Sequence, residues 1–158
     1  MASDPRRDFD FLFGSWTVQH RRLKERLADC SEWEEFGGSS TVQPLLAGSG
    51  NVDDNVIELP ASAYRAVSLR AFDPASRTWA IWWLDARQPH TIDVPVVGGF
   101  SDGVGTFYAD ETLRGEPIKV RFRWSNITAG SCQWEQAFSP DGGAHWETNW
   151  VMRFTRRV

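Results

Sequence analysis

Trp146-Glu147-Thr148-Asn149-Trp150-Val151-Met152-Arg153-Phe154 decides how this chain folds. Taken at every second residue, Trp146, Thr148, Trp150, Met152 and Phe154 form one face, and Glu147, Asn149 and Arg153 the other. A period of two is the mark of a strand with one wet and one buried side, so the aromatic face points inward. The same parity recurs upstream. Trp134, Gln136 and Phe138 oppose Gln133 and Glu135, and Val120, Phe122 and Trp124 oppose Arg121 and Arg123. Trp79, Ile81, Trp83 and Asp85 share one face, but Trp82 falls on the other, which implies an outer surface covered by a loop, the opening turn or a second subunit. With nine tryptophans in 158 residues, these strands predict a curved sheet closed around an aromatic interior.

Further out, the reading continues as a meander. Tyr64 to Phe72 alternates, Asp73-Pro74-Ala75-Ser76 is a turn, Gly98-Gly99 and Asp102-Gly103 interrupt the chain, and Ser139-Pro140-Asp141-Gly142-Gly143 is a hairpin signal. Nearer the start, Ser15 to Leu27 reads as a long segment with Trp16, Val18, His20 and Arg22 on one strand parity, while Leu23 and Leu27 also suit a helical face. Trp33 to Leu46 is extended too, with Gly37-Gly38 predicting a bend or bulge. Ala47 to Tyr64 reads as the longest irregular stretch and a candidate lid. Asp8 to Gly14 reads as one helical turn capping something apolar. The expected fold is all-β: an up-and-down antiparallel barrel of eight to ten strands with a short N-terminal helical turn, spanning residues 1–158 as one domain.

Composition narrows the function classes. Net charge is −4 and no basic stripe is concentrated enough for a nucleic-acid surface. No run approaches a membrane span, and the polar Met1 to Asp10 segment has no apolar core of a signal peptide, so cytoplasmic residence is expected. Cys30 and Cys132 have no metal-type spacing and read as free thiols, with pairing left to geometry. Asn51, Asp53, Asp54 and Asn55 lack the pattern of a calcium loop and read as turn chemistry. Neither a metal nor a cofactor is expected.

Gly14-Ser15-Trp16 after a short aromatic turn resembles the G-x-W start of the calycins, the lipocalin-like barrels. That resemblance implies that Trp16 closes one barrel end under an arginine from the last strand, here Arg156. Phe9-Asp10-Phe11-Leu12, His20-Arg21-Arg22-Leu23, Gly50-Asn51-Val52-Asp53, Trp82-Trp83-Leu84-Asp85, Trp134-Glu135-Gln136-Ala137-Phe138 and Trp146-Glu147-Thr148-Asn149-Trp150 are similar to stretches of a bacterial family of uncharacterised lipocalin-like proteins. The family brings no settled activity with it. Thr17-Val18-Gln19-His20 replaces the glycine-rich sequel of haem-binding nitrobindin-like barrels.

Polar residues on the apolar faces carry any chemistry: His20, Arg22, Asp85, Gln136 and Asn126. His20 and Asp85 could form a general acid/base pair, or His20 could simply satisfy a backbone carbonyl. Arg22 could hold a ligand carboxylate, or sit in solvent or an internal ion pair. The tryptophans either fill the barrel or line a pocket. The expectation is a pocket for a small, mostly apolar or aromatic molecule, with Arg22, Trp83, Trp124, Trp134, Gln136 and Trp150 binding it. The alternative is a cofactor-free isomerase, cyclase or dehydratase using His20 and Asp85. A homodimer through Trp82 is a third reading.

Overall fold

The computed structural model describes residues 3–158; Met1 and Ala2, which open the polar N-terminal segment, lie outside them. Ten antiparallel strands close into a barrel, each beside its sequence neighbour, with the last paired to the first. They are β1 (Gly14–Leu23), β2 (Trp33–Leu45), β3 (Gly50–Ile57), β4 (Tyr64–Asp73) and β5 (Thr78–Asp85), then β6 (Val96–Ser101), β7 (Val104–Leu113), β8 (Glu116–Ser125), β9 (Ser131–Ser139) and β10 (Glu147–Arg156). Two 3-10 turns, Pro5–Arg7 and Asp10–Leu12, precede them. Closure leaves no unpaired edge. No helix among the described residues is long and apolar enough to cross a membrane.

The helical turns plug one end. Phe9 packs edge-on against Trp79 at 5.0 Å and Phe100 at 4.9 Å, and Leu12 is buried beside it. Trp16 Nε1 donates to the Leu12 carbonyl at 2.8 Å. Arg156 clasps the plug as expected: its guanidinium lies 4.1 Å over the Trp16 ring and donates to the carbonyls of Phe11, Phe13 and Ala129. Gly14 has to be glycine here. Its φ of +117° is a left-handed conformation, and a Cβ would stand 2.7 Å from Arg156 Nη1. The opposite end carries the longer connections, residues 24–32 and 86–95.

Four expectations need correction. Residues 50–57 are not a lid but β3, fully paired between β2 and β4. The alternation is inverted: Asn51, Asp53 and Asn55 are buried, while Val52 and Val56 are only half-buried and Asp54 is exposed. Gly37-Gly38 makes no bulge; the β1–β2 register runs through it unbroken. Gly38 instead allows close approach, since a Cβ would collide with the Val56 carbonyl and lie 3.1 Å from His20 Nε2. Gly98-Gly99 likewise lies inside β6 rather than breaking the chain.

The fourth correction concerns β10. A bulge at Asn149 shifts the register between Thr148 and Trp150. Beyond it, Trp150, Met152 and Phe154 face inward as expected. Before it the parity flips, so Trp146 sits on the outside, 5.9 Å from the Tyr108 ring and beneath Arg121 at 4.5 Å. Asn149, expected to face solvent, is fully buried.

Candidate functional site

A cavity of about 560 Å³ occupies the barrel above the plug. Its wall is aromatic. Trp150 meets Trp134 edge-to-face at 5.3 Å and Trp83 at 6.0 Å, and Phe122 packs on Trp134 at 4.9 Å. These indoles come from β5, β9 and β10, where the inward parity brings them to one hollow. Gln136 lines the same wall and donates from Nε2 to Asn149 Oδ1 at 2.8 Å. The bulge therefore gives the wall a polar anchor.

His20 stands behind this wall. It is 2% exposed, stacks on Phe36 at 4.8 Å, and its Nδ1 accepts from Trp150 Nε1 at 3.1 Å. An accepting Nδ1 leaves the ring proton on Nε2. Burial, with the Arg22 charge adding to it, pushes its pKa down to about 4. His20 is therefore a neutral prop for a wall indole.

The floor is polar, and sequence reasoning missed it. Arg70 on β4, 3% exposed, forms an ion pair with Asp53 and donates to Asn51 Oδ1 at 2.8 Å. Asp53 also accepts from the Ser68 backbone at 2.7 Å and from Asn55. Two donors on cavity-lining residues have no partner among the described residues: Arg70 Nε and Trp124 Nε1. A buried donor left unpaired costs about 1–3 kcal/mol, so both call for an acceptor. The sequence signal was Asn51-x-Asp53-x-Asn55 against Ser68-x-Arg70, two facing strands with a polar inner parity.

The mouth carries charge. Arg22, Arg26, Asp85, Arg87 and Asp93 line it, with Tyr64 under Arg87 at 3.6 Å. Burial alone would raise the Asp85 pKa, but hydrogen bonds from Arg87 and its charge hold it below the ordinary carboxylate value. Burial, and then the Asp85 charge, raises that of Asp93. Arg22 lies 4.6 Å over the Trp150 ring. The connection over residues 24–32 reaches across this end. Leu27 donates from its backbone to Glu147, and Arg114 donates to the carbonyls of Arg26 and Leu27.

Set against expectation, Arg22, Trp83, Trp124, Trp134, Gln136 and Trp150 all line one cavity. His20 and Asp85 are not joined: no hydrogen bond or ion pair links them among the described residues, and each has another partner. Asn126 is exposed in the turn after β8 and leaves the inner face altogether. Cys30 and Cys132 are unpaired; Cys132 is buried, and that burial pushes its thiol up to about 12.

Comparison with solved structures shows that the barrel fold is shared. The S-type phycobiliprotein lyase CPES from Guillardia theta is similar over 95% of this chain and 90% of its own, with a TM-score of 0.62 and 11% identity. EF1p2_mFAP2b, solved bound to DFHBI, is similar over 98% of this chain and all of its own, with a TM-score of 0.52 and 11% identity. No protein-family model matches the chain, and no curated protein matches it in sequence.

Proposed function

We propose that this protein binds a small, mostly apolar or aromatic organic molecule inside the barrel. The observation that carries the reading is the cavity of about 560 Å³ walled by Trp83, Trp134 and Trp150 over a polar floor of Asp53, Asn55, Ser68 and Arg70. That volume is within the range of small-molecule sites, roughly 300–1,000 Å³. A flat ring packs against the exposed faces and edges of these indoles, with Gln136 beside it to meet a polar group. A similar barrel solved with DFHBI bound supports the same use of the fold. The residue pattern around Gly14-Ser15-Trp16 and Arg156 supports membership of a bacterial lipocalin-like family, and two unpaired cysteines support a cytoplasmic setting.

The enzyme alternative assigns proton transfer to His20 and Asp85. Both feel the Arg22 charge, but each is held by a different partner, so binding is the better-supported reading. The dimer reading keeps Trp82, which lies half-buried on the outer face beside Leu69.

Native mass spectrometry of freshly purified protein, together with titration by the neutral dye N-phenyl-1-naphthylamine, tests the proposal. The expected result is saturable quenching of tryptophan emission that is lost when Ser68 is enlarged to Trp to fill the floor. Absence of any co-purified small molecule, combined with no saturable quenching, would overturn it.

A further inference from the structure

Four arginines line the cavity, and their partners divide them. Arg70 is paired with Asp53 and Arg87 with Asp85. Arg22 and Arg26 have no carboxylate within ion-pair distance among the described residues. Arg26 reaches only the Leu23 carbonyl, at 3.4 Å, and Arg22 lies against the Trp150 ring. Burial of Arg26 and the neighbouring Arg22 charge both disfavour its cationic form, and Tyr64 and Glu147 offset them only in part. Two half-buried guanidinium groups that repel one another are costly unless an anion sits between or beside them.

Placement favours a ligand over solvent as that anion. Arg22 is stacked on the same indole that forms the cavity wall, so a group bound to it stands at the edge of the aromatic slot. Arg26 is carried by the connection that Arg114 and Glu147 tie across the mouth, which fixes its backbone in advance. The floor differs, since Asp53 neutralises Arg70 there. Asp93 is the counterweight at the mouth, and burial together with Asp85 makes it the carboxylate there that protonates more readily than usual.

Building on the binding reading above, we infer that the ligand is an aromatic acid: a flat ring among Trp83, Trp134 and Trp150 whose anionic group is held at the mouth by Arg22 and Arg26. A neutral ligand leaves both guanidinium groups without a directly bonded anion, offset only by the more distant Asp85 and Glu147 charges, and a cationic one is repelled by them.

The test uses two dyes that differ in one sulfonate, anionic 8-anilinonaphthalene-1-sulfonate and neutral N-phenyl-1-naphthylamine, with mutual displacement showing a shared site. In Arg22→Gln and in Arg26→Gln the ratio of anionic to neutral affinity should fall roughly tenfold, the scale of one charge-assisted hydrogen bond. Raising NaCl to about 0.5 M should weaken the anionic dye alone in the wild-type protein, which needs no variant to fold. If both affinities change equally in the variants and salt has no selective effect, the acid is wrong while the cavity reading stands. If neither dye saturates, both fall.

Discussion

Acidification should destabilise this barrel through His20. The imidazole is buried behind the cavity wall with Nδ1 accepting from Trp150, and its pKa is pushed down from 6.5 to about 4. The unfolded chain takes up a proton near pH 6.5, whereas the folded protein resists until about pH 4. Between those values the unfolded state binds more protons, so stability rises with pH and is lost as pH falls through that window. Each unit is about 1.4 kcal/mol, which gives a loss of roughly 2 kcal/mol by pH 5 and roughly 3 kcal/mol by pH 4. Against total stabilities of about 5–15 kcal/mol this is large. Urea unfolding of wild type and His20→Gln at pH 7, 6 and 5 isolates the effect, because Gln can still accept from Trp150 but does not titrate. The wild type should lose about 2 kcal/mol more than the variant between pH 7 and 5. Equal losses in the two proteins, or an imidazole titrating near pH 6.5 by NMR in the folded state, would refute the burial argument.

The plug and the floor make their own predictions. Arg156→Met removes three bonds to carbonyls and the stacking on Trp16, so it should cost about 3 kcal/mol and lower the melting temperature by roughly 6–12 °C in a circular-dichroism scan. A drop under about 2 °C would mean that the turn holds itself. Arg70→Met leaves Asp53 buried without its cation and should cost about 3–5 kcal/mol in urea, most of it recovered by adding Asp53→Asn. An additive double variant would show that the two residues are not coupled. Gly38→Ala pushes a methyl into the Val56 carbonyl and towards His20, and should cost about 1–3 kcal/mol while shifting the Trp150 emission. Unchanged emission and stability would mean that the β1–β3 spacing relaxes freely.

The barrel was legible where strands are apolar inside and polar outside. On β8 and β9, Trp124, Phe122, Trp134 and Phe138 alternate with Arg121, Arg123, Gln133 and Glu135, and the inward set lines the cavity. β3 was illegible for the opposite reason. It buries Asn51, Asp53 and Asn55 to receive Arg70, so its residues are those that local chemistry assigns to turns. Burial of polar groups follows from a partner on another strand, and a single strand's pattern does not contain that partner. Trp146 failed through one extra residue. A bulge reverses the parity of everything before it, and nothing in Glu147-Thr148-Asn149 marks which residue is the extra one. The mouth was hidden because Arg26, Arg87 and Asp93 lie in connections or at their edge, where no period exists to read.

The arginines then separate structure from function within one barrel. Arg156 has acceptors for its guanidinium at the closed end, and the plug needs them. Arg70 is different, because a floor that only had to be filled would be no less stable with apolar side chains: replacing a buried ion pair by packed hydrophobes is often neutral or stabilising by about 1–4 kcal/mol. The pair instead keeps the floor polar under an aromatic wall. Arg22 and Arg26 go further, with no carboxylate within ion-pair distance among the described residues, although the charges of Asp85 and Glu147 reach them. At the mouth the cations divide: Arg87 is paired with Asp85, whereas Arg22 and Arg26 have no ion-pair partner among the described residues. An anionic group beside those two arginines, with its ring against the indoles below, meets the need that the protein's own carboxylates leave at the open end.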